Sequence, residues 1–363
     1  MPFKMTQHHL GVAQVRRHML PTNLKPWSAF KSRICVGVMA AGMLLLGTGA
    51  TLAGDAVTVA ALRFVSSGPI FIAKEKGYFA AEGLDVTLKF FDAAQPVAVA
   101  IASGDTDFGA TGFTAGLFNI AGKGALKIIG AQFSEVRGYQ GSAFLVSNKA
   151  FAAGLTELDK LEGRTFGLTQ TGSSFHYMIG RMAGAAGIDI STVSLKPLQT
   201  VGNVIGALKT GQIDSAILPS FIARPLIAAG DAKLIAWVGD VAPYQGGGLF
   251  AAPKTIEKRR AVVERFVRAY QRGIADYRAA FIDKSGADAE IIPLIHKYVY
   301  ADQDAATASP KIRDGALYIA ADGRLDGQDV ALQIEWYQEQ GLVDKTVEAP
   351  LILDFSFIPA LQP

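Results

Sequence analysis

Four short phrases concentrate glycine and small hydroxyl residues in places where a ligand could be gripped. They are Ser66-Ser67-Gly68-Pro69, Thr111-Gly112-Phe113-Thr114, Thr171-Gly172-Ser173-Ser174 and Pro219-Ser220. Each follows a short apolar run and precedes a helical pattern. The start of a helix leaves backbone N–H groups unpaired and carries the positive end of the helix dipole. Small side chains keep those donors within reach of a carboxylate, sulfonate, nitrate or phosphate-like group. Ser and Thr are also ordinary helix caps, so one such loop says little, whereas four at equivalent places suggest a common binding edge. The candidate ligand-binding residues are therefore Ser66, Ser67, Thr111, Gly112, Phe113, Thr171, Ser173, Ser174, Phe175 and Pro219. Arg63, at the end of the first expected strand, is the charged candidate. Phe64, Phe133, Tyr177, Phe221 and Tyr244 lie close enough in sequence to wall a pocket or to fill a core.

Catalytic and metal chemistry find no comparable support. The chain has no Gly-x-Ser-x-Gly elbow, no His-Glu-x-x-His and no pair of histidines at metal-ligand spacing. Ala121-Gly122-Lys123-Gly124 lacks the leading Gly and the Ser/Thr of a phosphate-binding loop and reads as a helix stop. Asp105 and Asp107 read as a turn entering a strand rather than an acid/base pair. A binding protein is expected rather than an enzyme, without a cofactor or a metal.

The elements that must position these loops alternate. Strands are expected over residues 57–62, 84–90, 107–110 and 125–133, separated by helices over 70–79, 96–103 and 113–122. The pattern restarts with strands over 143–147, 165–169, 193–198, 215–218 and 233–238 and helices over 175–186, 204–210 and 221–228. Such alternation implies α/β lobes with largely parallel strands. After Tyr244-Gln245-Gly246-Gly247-Gly248, read as a loop, residues 249–252 form a returning strand. Helices then dominate, over 260–281, 287–300 and 326–340, and an apolar tail ends the chain. No Pro/Ser-rich linker separates two complete domains, so one lobe is expected to be inserted in the other. Lobe 1 would comprise residues 54–142 and 249–363, and lobe 2 residues 143–248. The hinge crossings would lie near 138–148 and 241–253.

The first 53 residues differ from the rest. They carry six basic residues and no acid, then an apolar run over residues 34–52 and a small-residue exit at Ala53-Gly54. This is the layout of a secretory signal peptide, with cleavage expected near Ala53; retention as an anchor is the alternative. Cleavage would leave 29 of the 35 basic residues against 32 acids, turning a net charge of +3 into −3. No basic surface for nucleic acid would then remain. Cys35, the only cysteine, and His8, His9 and His18 would leave with the leader, and His176 and His296 would stay.

Several phrases together resemble the nitrate/sulfonate/taurine family of periplasmic solute-binding proteins. Gly68-Pro69-Ile70-Phe71-Ile72-Ala73-Lys74-Glu75-Lys76-Gly77-Tyr78-Phe79 with Ala80-Ala81-Glu82-Gly83-Leu84-Asp85-Val86 is similar to that family's opening. Ala102-Ser103-Gly104-Asp105-Thr106-Asp107-Phe108-Gly109, Leu158-Asp159-Lys160-Leu161-Glu162-Gly163-Arg164-Thr165-Phe166-Gly167 and Leu208-Lys209-Thr210-Gly211-Gln212-Ile213-Asp214-Ser215-Ala216 continue it in order. The resemblance implies a two-lobed periplasmic-binding-protein fold, a type II clamp with α/β sandwich lobes and C-terminal helices. It also implies a periplasmic monomer that captures a small, anionic molecule and passes it to an ABC-transporter permease with its cytoplasmic ATPase. A related pyrimidine-synthesising enzyme and a ligand-sensing module share the fold, and the residues themselves do not name the ligand.

Overall fold

The computed structural model describes residues 54–361, so the expected leader and its cleavage site lie outside the described residues. The strands, in chain order, are β1 (Asp55–Leu62), β2 (Leu84–Phe91), β3 (Phe108–Gly112), β4 (Lys127–Glu135), β5 (Ser142–Ser147), β6 (Thr165–Leu168), β7 (Ser194–Pro197), β8 (Ser215–Pro219), β9 (Ala232–Trp237) and β10 (Tyr244–Ala251). They form two five-stranded sheets, ordered β2-β1-β3-β10-β4 and β7-β6-β8-β5-β9. The chain is thus a two-lobed α/β protein with a helical C-terminal region.

Each sheet contains one strand that runs against its neighbours. In the first sheet β10 is antiparallel to β3 and β4, and in the second β5 is antiparallel to β8 and β9. These are the two strands that have just arrived from the other lobe. A strand entering from the cleft starts where its antiparallel neighbours end. The first residues of β5 therefore lie beside the carboxyl ends of the other strands, where open α/β sheets bind ligands.

The return crossing lies earlier than the sequence pattern suggests. Tyr244–Gly248 is not a loop but the first half of β10, so this stretch belongs to the sheet of lobe 1 and not to residues 143–248 of lobe 2. The three glycines are there for packing. A Cβ on Gly247 would lie 2.6 Å from the Thr111 carbonyl oxygen and 2.7 Å from the Phe133 ring, and one on Gly248 would lie 2.8 Å from the Phe113 ring. Glycine lets these groups close over the strand.

The first expected helix, residues 70–79, is two: Gly68–Glu75 and Tyr78–Ala81, separated at Gly77, whose φ is 71°. Pro69 sits in the first turn, where its missing N–H costs nothing. The long helix Arg260–Phe281 buries Val263, Phe266, Val267, Tyr270, Ile274 and Tyr277, a three- and four-residue spacing that makes one apolar face. That face packs on the first helix and on β3, with Phe266 and Phe108 stacked at 3.9 Å between ring centres. Helix Ala305–Asp314, with Pro310 inside it, was not marked by the apolar pattern; Asp304 caps it by accepting the Thr307 N–H at 2.9 Å. The tail runs along the edge of lobe 1, bridging Leu353 to Ile128 and burying Ile358.

Glu135 ends β4 at the outgoing crossing. Its carboxylate, 1 % exposed, accepts the N–H of Ser142 with both oxygens at 3.0 Å, closing the segment 136–141. Burial pushes its carboxyl above the ordinary value of 4.5, although the Ser142 bonds pull the other way. A raised acid adds stability that is fully present below 4.5 and is lost as the pH rises through its folded value. Glu135→Gln keeps an acceptor for Ser142 without the buried charge. Urea unfolding should therefore find the variant at least as stable as the parent at pH 8, with a flatter pH dependence above 4.5. A variant clearly weaker at pH 8 would show that the ionised carboxylate holds the crossing.

Candidate ligand-binding site

The two sheets face each other across a small cavity of about 40 Å³. Lobe 1 contributes Leu62 at the end of β1, Phe64 and Ser66 just beyond it, Ala93 and Ala94, Thr111 and Gly112 at the end of β3, and Gln132 and Phe133 from β4. Lobe 2 contributes Ser142 from the start of β5, Thr169, Ser174, Phe175 and Met178, Val201, and Pro219 at the end of β8; Leu317 closes the wall. The walls are thus mostly apolar, with Ser66, Thr111, Gln132, Ser142, Thr169 and Ser174 as polar points. Among the described residues no charged side chain lines the cavity. Thr111 Oγ1, Gln132 Oε1 and Ser142 Oγ are buried without a hydrogen-bond partner. Buried polar groups are normally satisfied, so three open valences around one cavity mark a place prepared for something else to bond.

The residues singled out from sequence divide clearly. Ser66, Thr111, Gly112, Ser174, Phe175 and Pro219 are brought together around the cavity from four separate loops. Ser67 stands behind it, its Oγ accepting from Gln132 Nε2 at 3.4 Å. Ser173 is buried next to Ser174. Its Oγ has no partner and makes no cap bond, while its carbonyl accepts the Tyr337 hydroxyl at 2.9 Å. Three candidates lie elsewhere. Phe113 is 1 % exposed and packs into the core against Phe118 and over Gly248. Thr171 points to solvent. Arg63 is exposed, its guanidinium 3.9 Å above the Phe90 ring and bonded to the Tyr298 carbonyl, so the strand-end cation is spent on a surface stack. Thr114, in the second phrase, is an ordinary cap that accepts the Leu117 N–H at 3.0 Å.

Gln132, Ser142 and Thr169 were missed by the sequence reading. The available signal was a polar residue interrupting an apolar strand, as in Ala131-Gln132-Phe133. Such residues also occur on solvent-facing strand positions, and only the three-dimensional arrangement separates the two cases.

The lobes meet directly at the cavity rim. The Ala115 N–H, at the start of helix Ala115–Gly122 in lobe 1, donates to the Gly172 carbonyl of lobe 2 at 2.8 Å. Gly172 has a φ of 79°, and a Cβ there would lie 2.9 Å from the Ala115 side chain. The Gly172 N–H in turn donates to His176 Nδ1 at 3.1 Å, which assigns the imidazole proton to Nε2. His176 is 4 % exposed and packs edge-on to Trp336. Burial pulls its pKa from 6.5 down to about 4, so it stays a neutral acceptor at physiological pH. Trp336 and Tyr337 belong to the C-terminal helix Gly327–Glu339. Tyr337 touches both Phe118 of lobe 1 and Tyr177 of lobe 2, tying the lobes on this side.

The fold has many solved counterparts. The alkanesulfonate-binding protein SsuA from Xanthomonas axonopodis pv. citri bound to MOPS superposes with a TM-score of 0.66 at 16 % identity, over 83 % of this chain and 98 % of that one. The periplasmic aliphatic sulphonate binding protein SsuA from Escherichia coli gives a TM-score of 0.64 at 18 % identity, over 85 % and 94 %. The periplasmic nitrate-binding protein NrtA from Synechocystis PCC 6803 gives 0.66 at 12 %, over 84 % and 87 %. At these identities the likeness is one of fold. No curated protein sequence matches the chain. The family model described as NMT1/THI5 like matches residues 65–280, which hold both sheets apart from β1, and all the cavity-lining loops but those of Leu62, Phe64 and Leu317. By that match, which covers more than half of its length, the chain belongs to the NMT1/THI5-like family.

Proposed function

We propose that this chain is the exported solute-binding protein of an ABC-type importer, capturing a small, anionic molecule between its lobes and delivering it to a membrane permease. The observation that carries the reading is the cavity: it is closed by loops of both lobes, and its open hydrogen-bond valences come from both. Two helix starts, at Ser66–Gly68 and Ser173–Ser174, converge on it, and their dipoles favour negative charge. No lining residue is a histidine, cysteine, aspartate or glutamate, which supports binding over acid/base or covalent catalysis. The solved neighbours named for sulfonate and nitrate binding support the same class of solute.

In this reading residues 1–53 are a leader cleaved near Ala53, and the mature monomer, with a net charge of −3, works outside the cytoplasmic membrane. Organic ligands usually fill pockets of roughly 300–1,000 Å³, far more than the about 40 Å³ seen here. The lobes must part to admit one, bending at the crossing segments 136–141 and 242–243.

The test is a thermal-shift screen of sulfonates, nitrate, aromatic carboxylates and pyrimidines, followed by calorimetry on any hit. Thr111→Ala combined with Ser174→Ala removes one hydroxyl from each lobe. It should weaken binding about a hundredfold or more, since hydrogen bonds to charged groups are worth about 1.5–3 kcal/mol each. The melting temperature of the empty protein should change little, because neither hydroxyl caps a helix. Unaltered affinity in the double variant would place the ligand elsewhere.

A further inference from the structure

Within the solute-binding reading, and resting on it, one residue restricts the ligand further. We infer that Gln132 is the specificity-determining residue of the cleft and that it selects ligands carrying an N–H or O–H donor beside their polar head. Five of the six polar groups around the cavity are hydroxyls, which rotate and either donate or accept. The Gln132 amide oxygen is the exception, since it only accepts. Its side chain is 2 % exposed. Its Nε2 end is anchored on Ser67 Oγ at 3.4 Å. The Oε1 end has no partner and packs over Gly247, where a Cβ would lie 3.0 Å from it. Glycine at 247 therefore leaves the amide room to face the cavity.

With the lobes parted, solvent hydrates this oxygen. With the lobes closed on a ligand, only the ligand can answer it. A ligand with no donor strands the oxygen and loses about five- to a hundredfold in affinity. Aprotic anions such as nitrate or a plain alkanesulfonate are then disfavoured. Hydroxy-, amino- or amide-bearing molecules of the same size and charge are preferred, their oxyanion facing Thr111, Ser142 and Ser174 and their donor facing Gln132.

Matched pairs test this directly. Ethanesulfonate and 2-hydroxyethanesulfonate, benzoate and 4-hydroxybenzoate, and 2-methylpyrimidine and 4-amino-2-methylpyrimidine are titrated calorimetrically into the parent and into Gln132→Met. The parent should bind the donor-bearing member of a pair at least fivefold more tightly, and Gln132→Met should bind the two alike. Equal binding by the parent, or a preference that survives in Gln132→Met, overturns the assignment and leaves the solute-binding reading standing. A panel in which neither member of any pair binds at millimolar concentration sinks that reading and this inference together. The ligand-free proteins give an independent check. Replacing this amide by an apolar chain of similar length should change the melting temperature little, and a fall of several degrees would make Gln132 a structural residue and overturn the inference.

Discussion

Acidification from pH 6.5 to 4 should cost the folded protein on the order of 3 kcal/mol through His176 alone. Burial lowers its pKa from 6.5 to about 4, and each tenfold loss of proton affinity corresponds to about 1.4 kcal/mol. The sign follows from which state holds the proton more readily. The unfolded chain protonates His176 near 6.5 while the folded protein resists until about 4. The stabilisation is therefore complete above 6.5, declines as the pH falls through that interval and is gone below 4. The loss also has a local address, because a protonated Nδ1 can no longer accept the Gly172 N–H. His176→Asn places an amide oxygen near the position of Nδ1 and does not titrate. Urea unfolding at half-unit pH steps should show the parent falling more steeply than this variant between 6.5 and 4. Parallel curves would mean that His176 is exposed to protons in the folded state, and the account of the Gly172 turn would fail with it.

Replacing Gly172 by alanine should damage both stability and binding, by two separable routes. At a φ of 79° an alanine is strained by about 1–2 kcal/mol, whatever the lobes are doing. The added Cβ would also press on the Ala115 side chain at 2.9 Å, but only while the lobes are together. That contact opposes closure and breaks the Ala115–Gly172 hydrogen bond, so ligand affinity should fall by about tenfold or more. Gly187→Ala is the control: its φ is 73° and nothing lies within 4 Å of the added carbon. It should lose similar stability and keep its affinity. If Gly172→Ala binds as tightly as Gly187→Ala, the contact between the two loops has no part in holding the closed state.

Much of the chain's organisation can be read without coordinates. The alternation of short β-branched runs with helical patterns is local, and so is its consequence, a pair of α/β lobes. The loops after β1, β3, β6 and β8 were identifiable because glycine and hydroxyl residues at a helix start have a local conformational meaning. Six of the eleven candidates drawn from them line the cavity. Where the reading departed from the structure, the cause was partnership across the fold. Gly246, Gly247 and Gly248 suggest a loop by composition, yet they lie in a strand because Phe133, Phe113 and the Thr111 carbonyl need the space. Helix Ala305–Asp314 hides behind its proline and is held by packing against neighbouring helices.

The sequence by itself determined the alternating elements, the loops that open helices, the scarcity of titratable groups in those loops and the likeness to a family of solute binders. These follow from backbone propensity and local pattern, which act over a few residues. The tertiary structure alone decided which side chains face the cleft. It turned Arg63 outward onto Phe90, buried Phe113 in the core, left Thr171 in solvent, and brought Gln132, Ser142 and Thr169 inward, the first two with partners missing. Such choices depend on which atoms 50 or 100 residues away arrive to fill a hydrogen bond or a void, and no local propensity carries that information.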